Sequence, residues 1–285
     1  MFDFRYHIIS LVAVFLALGV GIFMGTMVAE KGVVNQQEKA LITKLEKDFD
    51  ALREENRVAT EDMKQADMFS KEIIPMVVHD KLYQQNVAIV ITTNLEDEEK
   101  KALKTTIEQA GANLRSTTSL TSELGFNKKD NLDKINTILG TSNLTGNQLK
   151  NRMMSDLGKQ LTTGQSQEFF QSLKDAGAIR IDGNYETPVQ IIVVVGGSDN
   201  GVTVDDVDTP FIKEALSLGV TVLGTETSTV KNSYMTAYQR LGISTVDNID
   251  TPSGLVSSIL AVSGQPGNYG IKSTAKRLMP VLSGQ

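Results

Sequence analysis

An α/β fold led by one membrane-crossing helix and a coiled-coil helix is what this sequence predicts, on three observations. A charge-free apolar run stands near the amino terminus, a heptad pattern follows it, and the rest alternates β-branched runs with helical stretches. The 285 residues are 40% hydrophobic and 22% charged, enough for a sizeable core, which rules out a wholly disordered chain. Asp plus Glu number 34 against 28 Lys plus Arg, for a net charge of -6. That balance gives no field for phosphate backbones, so no nucleic-acid partner is expected. The chain has no cysteine and only two histidines, His7 and His79, which excludes disulfides, Cys/His zinc sites and cysteine nucleophiles.

Residues 1–7 form a short leader, and from Ile8 to Val28 the sequence IISLVAVFLALGVGIFMGTMV carries no charge. At helical rise this run covers about 31 Å, the hydrocarbon thickness of a bilayer. A cleaved signal peptide is the competing reading. The run exceeds the length of a signal core, and the leader holds Asp3 beside Arg5, so a retained transmembrane helix over 8–28 is favoured. Arg5 precedes the span, while Glu30 and Lys31 nearly cancel after it. The leader is therefore predicted to be cytoplasmic and the bulk of the chain extracytoplasmic. Gly21 and Gly25 form a GxxxG pair that lets two helices approach closely in lipid.

Residues 33–74 predict a coiled-coil stalk. Ile42, Phe49, Asn56 and Met63 fall at a positions, with Leu45, Leu52, Ala59 and Ala66 at d. Asn56 at a central a position favours a defined register and two strands. A long amphipathic helix packed on its own domain is the alternative; the 3.5-residue period favours a pair. Gly21, Gly25, Ile42, Leu45, Phe49, Leu52 and Asn56 are accordingly the candidate self-association residues of a homodimer. Gly32 is expected to mark a joint, since GxxxG crossings and heptad seams have opposite hands, and Pro75 is expected to end the helix.

Residues 80–285 predict a doubly wound, mostly parallel-sheet, Rossmann-like domain. Val87–Thr92, Val189–Val195 and Val220–Leu223 are charge-free β-branched runs suited to strands buried on both faces. Asn94 is the expected N-cap of the following helix, and Thr209-Pro210 and Thr251-Pro252 are expected to open two more. The polar stretch from Thr118 to Gly164 reads as a helical insertion.

Val189–Val195 runs into Gly196-Gly197-Ser198-Asp199-Asn200-Gly201, where doubly wound folds place ligand loops. The loop lacks the spacing of a dinucleotide fingerprint, a Walker loop or a nucleophile elbow, and no histidine follows His79 to act as base for Ser198. A tight glycine turn is the favoured reading. Asp205, Asp206 and Asp208 lack the calcium-loop pattern and read as a solvated turn with helix-start acids. His79 reads as a surface residue. Met24 and Met27 are soft thioethers within the span, where methionine is ordinary apolar filler, and the adjacent Met153 and Met154 should face different ways. No catalytic, cofactor or metal residues are assigned, so the chain is not expected to be an enzyme.

The segment DFRYHIISLVAVFLALGVGIFMG from Asp3 to Gly25, the coil after it and the closing GNYGIKSTAKRLMP from Gly267 to Pro280 resemble the MctB-like copper transporter family. The amino-terminal segment is the specific part, supported by Tyr269-Gly270-Ile271-Lys272. The resemblance implies a single-pass envelope protein linked to copper export or channel activity. Through its SteB-like relatives it implies instead work beside a SteA-like membrane protein that controls a cell-wall hydrolase during division. An outer-membrane pore needs a closed barrel of many alternating strands, whereas the charge-free runs here are few and separated by helices. The residues thus favour a dimeric anchored scaffold or regulator, with a copper transport component as the alternative.

Overall fold

The computed structural model describes residues 4–121, 129–142, 144, 146–165, 167–198 and 204–282. The chain divides into two compact units, Met1–Ala66 and Asp67–Gln285. Helix α1 (Phe4–Val78) accounts for the first and supplies the opening turns of the second. Within it Tyr6–Val28 has a mean hydropathy of 2.6 and the length to cross a membrane.

Two expected interruptions of this helix do not occur. The backbone stays helical through Gly32, where a joint was expected. A single glycine costs only about 1 kcal/mol in a helix interior, too little to break one that propagates from both sides. Pro75 lies inside α1 rather than at its end. Ile74 and Val78 on either side of it are buried in the domain core, and their burial offsets the hydrogen bond that proline cannot make.

The second unit is built on a seven-stranded sheet. Its strands are β1 (Asn86–Ile91), β2 (Asn113–Leu120), β3 (Ile179–Gly183), β4 (Ile191–Val195), β5 (Thr221–Thr225), β6 (Ser244–Val246) and β7 (Asn268–Tyr269). They lie in the order β3-β2-β1-β4-β5-β6-β7. All neighbouring strands pair in parallel except β3, which runs antiparallel to β2 at the edge. The helices are α2 (Asp97–Gln109), α3 (Lys129–Ile138), α4 (Gly146–Thr163), α5 (Gln167–Asp175), α6 (Asp208–Ser217), α7 (Met235–Arg240) and α8 (Pro252–Val262).

Alternation along the strands separates two cores. Ala88 and Val90 of β1 join Ile192 and Val194 of β4 in one cluster with α3 to α7. Val87, Ile89 and Ile91 join Ile191, Val193 and Val195 in a second, with α2, α8 and the end of α1. Central strands therefore need apolar residues at every position, the pattern the sequence displays. Met153 and Met154 are both buried in the first cluster rather than facing apart, because the helices around α4 cover both positions.

Helix starts differ from expectation in two of three cases. The N-cap of α2 is Glu96, not Asn94; the Glu96 N–H donates to the Glu99 carboxylate at 3.0 Å, the reciprocal half of a capping box. Helix α6 is capped at Val207, so Thr209 and Pro210 sit in its first turn. Thr251 caps α8 as expected, accepting from the Gly254 N–H at 3.1 Å with Pro252 at the first helical position. Helices α3, α4 and α5 fill the connection between β2 and β3, while Thr118 to Leu120 belong to β2 itself.

Candidate functional site

Strand order reverses between β1 and β4, and in such sheets the loops at the carboxyl ends of those two strands form the usual ligand crevice. Gly196 and Gly197 follow β4 there. Gly197 has φ +96°, a conformation that favours glycine, and Ser198 exchanges backbone hydrogen bonds with Asn232. Asp199, Asn200 and Gly201 of the predicted loop lie outside the described residues.

Beneath this turn, the Asp208 carboxylate accepts a hydrogen bond from the Tyr238 hydroxyl, and neither side chain is exposed. A Cβ on Gly196 would strike the Tyr238 hydroxyl and come within 2.7 Å of Asp208 Oδ2, so glycine is required by the approach of this pair. Burial pushes the Asp208 carboxyl up to about 6, against the hydrogen bond from Tyr238 that lowers it. Burial and the neighbouring Asp208 charge push the Tyr238 phenol well above its ordinary value. The expectation that Asp205, Asp206 and Asp208 are all solvated is corrected at Asp208. Asp205 is exposed, but Asp208 turns into the core, where Tyr238 satisfies one of its oxygens.

A second polar knot lies at the ends of β5, β6 and β7. Glu226, fully buried, accepts from Lys272 Nζ at 2.7 Å, from Ser233 Oγ at 2.6 Å and from the Tyr234 N–H at 2.9 Å. Asp247 accepts from the backbone N–H groups of Ile271 at 2.7 Å and Lys272 at 3.1 Å. Gly270 between them has φ +134°, and a Cβ there would collide with the Asp247 carboxylate. The Tyr269-Gly270-Ile271-Lys272 motif thus seats a tail on two acids that directly follow β5 and β6. Sequence reading gave the motif no role, because Glu226 and Asp247 are distant along the chain.

The self-association candidates Gly21, Gly25, Ile42, Leu45, Phe49, Leu52 and Asn56 all lie on α1 and are all exposed. Apart from the backbone of their own helix, no described residue comes within 4 Å of where a Cβ on Gly21 or Gly25 would stand. His79 is also exposed and lies 3.0 Å from Asp80 Oδ2. Among the described residues, no three His, Asp or Glu side chains gather in a group that could hold a metal ion.

An apolar helix long enough for a bilayer, joined to an α/β domain with a parallel-dominated sheet, defines a membrane-associated α/β protein. A family model described as copper transport outer membrane protein, MctB, matches residues 1–280, and the chain belongs to that family. It is 26% identical to the copper transporter MctB of Mycobacterium tuberculosis over 309 residues, covering 95% of this chain and 96% of the relative. The copper transporter MctB of Mycobacterium leprae is 25% identical over 317 residues, at the same coverage of both.

Proposed function

We propose that this chain is a single-pass, dimeric envelope protein whose amino terminus is cytoplasmic and whose Rossmann-like domain serves, outside the membrane, as a non-catalytic regulatory surface. The observation that carries this reading is the uncovered heptad stripe of α1. Ile42 is 54% exposed, Leu45 47%, Phe49 60% and Leu52 58%, in a register that a second copy would cover as a parallel coiled coil. Burying such side chains contributes about 1.5–3 kcal/mol each. Asn56 would meet its twin across the seam, and Gly21 and Gly25 would let the membrane helices approach on the same axis. The partner is a SteA-like membrane protein or a cell-wall hydrolase, as the SteB-like resemblance implies.

The native chain lacks cysteine, so Asn56→Cys can form a disulfide only between chains. Mild oxidation of membranes carrying this variant should give a band of twice the monomer mass. Clean monomer would overturn the reading.

The family match favours a second reading, a copper transport or efflux component, since the relatives bear that name. Met24 and Met27 would then be the soft ligands on the membrane helix. On this reading, deletion raises cell copper, and a Met24→Leu, Met27→Leu double variant fails to restore it. Restored copper levels would remove the two methionines from any transport path.

A further inference from the structure

We propose that the cavity between α2 and the β2–β3 edge is an anion site, shaped for a phosphate group on a small polar molecule. Lys100 and Lys104 stand one turn apart on α2, so both ammonium groups leave the helix on one face. In the antiparallel pairing Thr117 stands opposite Asp182 and Ser119 opposite Arg180. Strand alternation sets these four residues on one face of the sheet. That face meets α2, because Lys104 Nζ lies 2.6 Å from Asp182 Oδ2. All six residues line a cavity of about 250 Å³.

Its chemistry differs from the rest of the molecule. The chain carries a net charge of -6, yet the lining holds Lys100, Lys104 and Arg180 against the single carboxylate of Asp182. Thr117 and Ser119 present hydroxyls in a sheet whose central strands, β1 and β4, are apolar throughout their buried positions. Lys100 meets Asp97, but that carboxylate is 99% exposed, and such a surface pair holds a lysine only weakly. Arg180 is exposed and makes no ion pair with a described residue. Three cations and two hydroxyls around a small concavity match the oxygens of a phosphate. They repel a metal cation, so this cavity is distinct from any copper path.

The test is isothermal titration of the full chain, held in phosphatidylcholine nanodiscs, with inorganic phosphate. Saturable binding at one site per chain is expected. Lys100→Gln and Arg180→Gln should each weaken it about tenfold, the worth of one charge-assisted hydrogen bond. Asp182→Asn should tighten it, because the variant removes the competing carboxylate and releases Lys104. A merely structural ion pair would not give that gain. Repeating the titration in discs containing phosphatidylglycerol separates the sources: weaker phosphate binding there assigns the site to a lipid headgroup, and unchanged binding assigns it to a soluble phosphate. Absence of saturable binding, or unimproved affinity in a folded Asp182→Asn variant, overturns the proposal.

Discussion

Lys272 Nζ lies 2.7 Å from Glu226 Oε1, joining the carboxyl-terminal motif to a carboxylate with no exposed surface. The lysine also donates to the Thr227 carbonyl at 3.0 Å, and two further donors complete the shell around Glu226. Removing only the lysine leaves a buried charge without its counterion, a change that costs about 3–5 kcal/mol. Lys272→Met is therefore expected to lower stability by about 3 kcal/mol, read from thermal unfolding of the detergent-solubilised chain. The double variant Lys272→Met, Glu226→Gln should regain most of that loss, since no charge then remains to be compensated. Equal losses in both variants would show that the ion pair is not what holds the tail.

Gly270 and Gly264 separate backbone strain from crowding. Both have positive φ, +134° and +118°, so alanine is strained at either. At Gly264 a Cβ would meet no described residue within 4 Å beyond its chain neighbours, whereas at Gly270 it would collide with Asp247. Gly264→Ala should cost about 1–2 kcal/mol. Gly270→Ala should cost about 2 kcal/mol more, the usual penalty of overpacking, because it also dislodges the carboxylate that binds the Ile271 and Lys272 N–H groups. Comparing the two unfolding midpoints checks this. Equal shifts would mean that Asp247 yields without loss.

The strands legible in the sequence are those whose two faces are both apolar. Val87–Thr92 and Val189–Val195 announce β1 and β4 because every side chain from Val87 to Ile91 and from Ile191 to Val195 meets a core. Strand β2 reads NLRSTTSL and lies beside the edge, where Thr118 is satisfied by the Tyr185 hydroxyl at 2.9 Å, so its hydrophobic signal is weak. Strands β6 and β7 have only three and two residues, too short for any period to register. At the site, the local run Asp205, Asp206, Asp208 resembles a solvated turn, and the residue that makes Asp208 different is Tyr238 on another helix. Likewise the tail motif was visible, but the acids that receive it, Glu226 and Asp247, stand just past the ends of β5 and β6. Long-range pairing, which no local pattern encodes, accounts for these misses.

The Asp208 and Tyr238 pair gives the molecule a pH dependence whose sign follows from burial. The Asp208 carboxyl moves from its ordinary 3.8 up to about 6 in the fold, so the folded state favours the neutral acid. The unfolded chain ionises first as pH rises. Stability from this group is therefore complete below about pH 4 and falls as pH rises through 6, by about 3 kcal/mol at pH 7.5. Asp208→Asn keeps an acceptor for the Tyr238 hydroxyl and cannot ionise. Its NH₂ group takes the place of Asp208 Oδ1, which already lacks a hydrogen-bond partner. The variant should thus match the wild-type chain at pH 4 and exceed it by about 2–3 kcal/mol at pH 7.5. Unfolding of both proteins at the two pH values measures the difference, and a gap that does not change with pH would show that Asp208 ionises as easily in the fold as in the open chain.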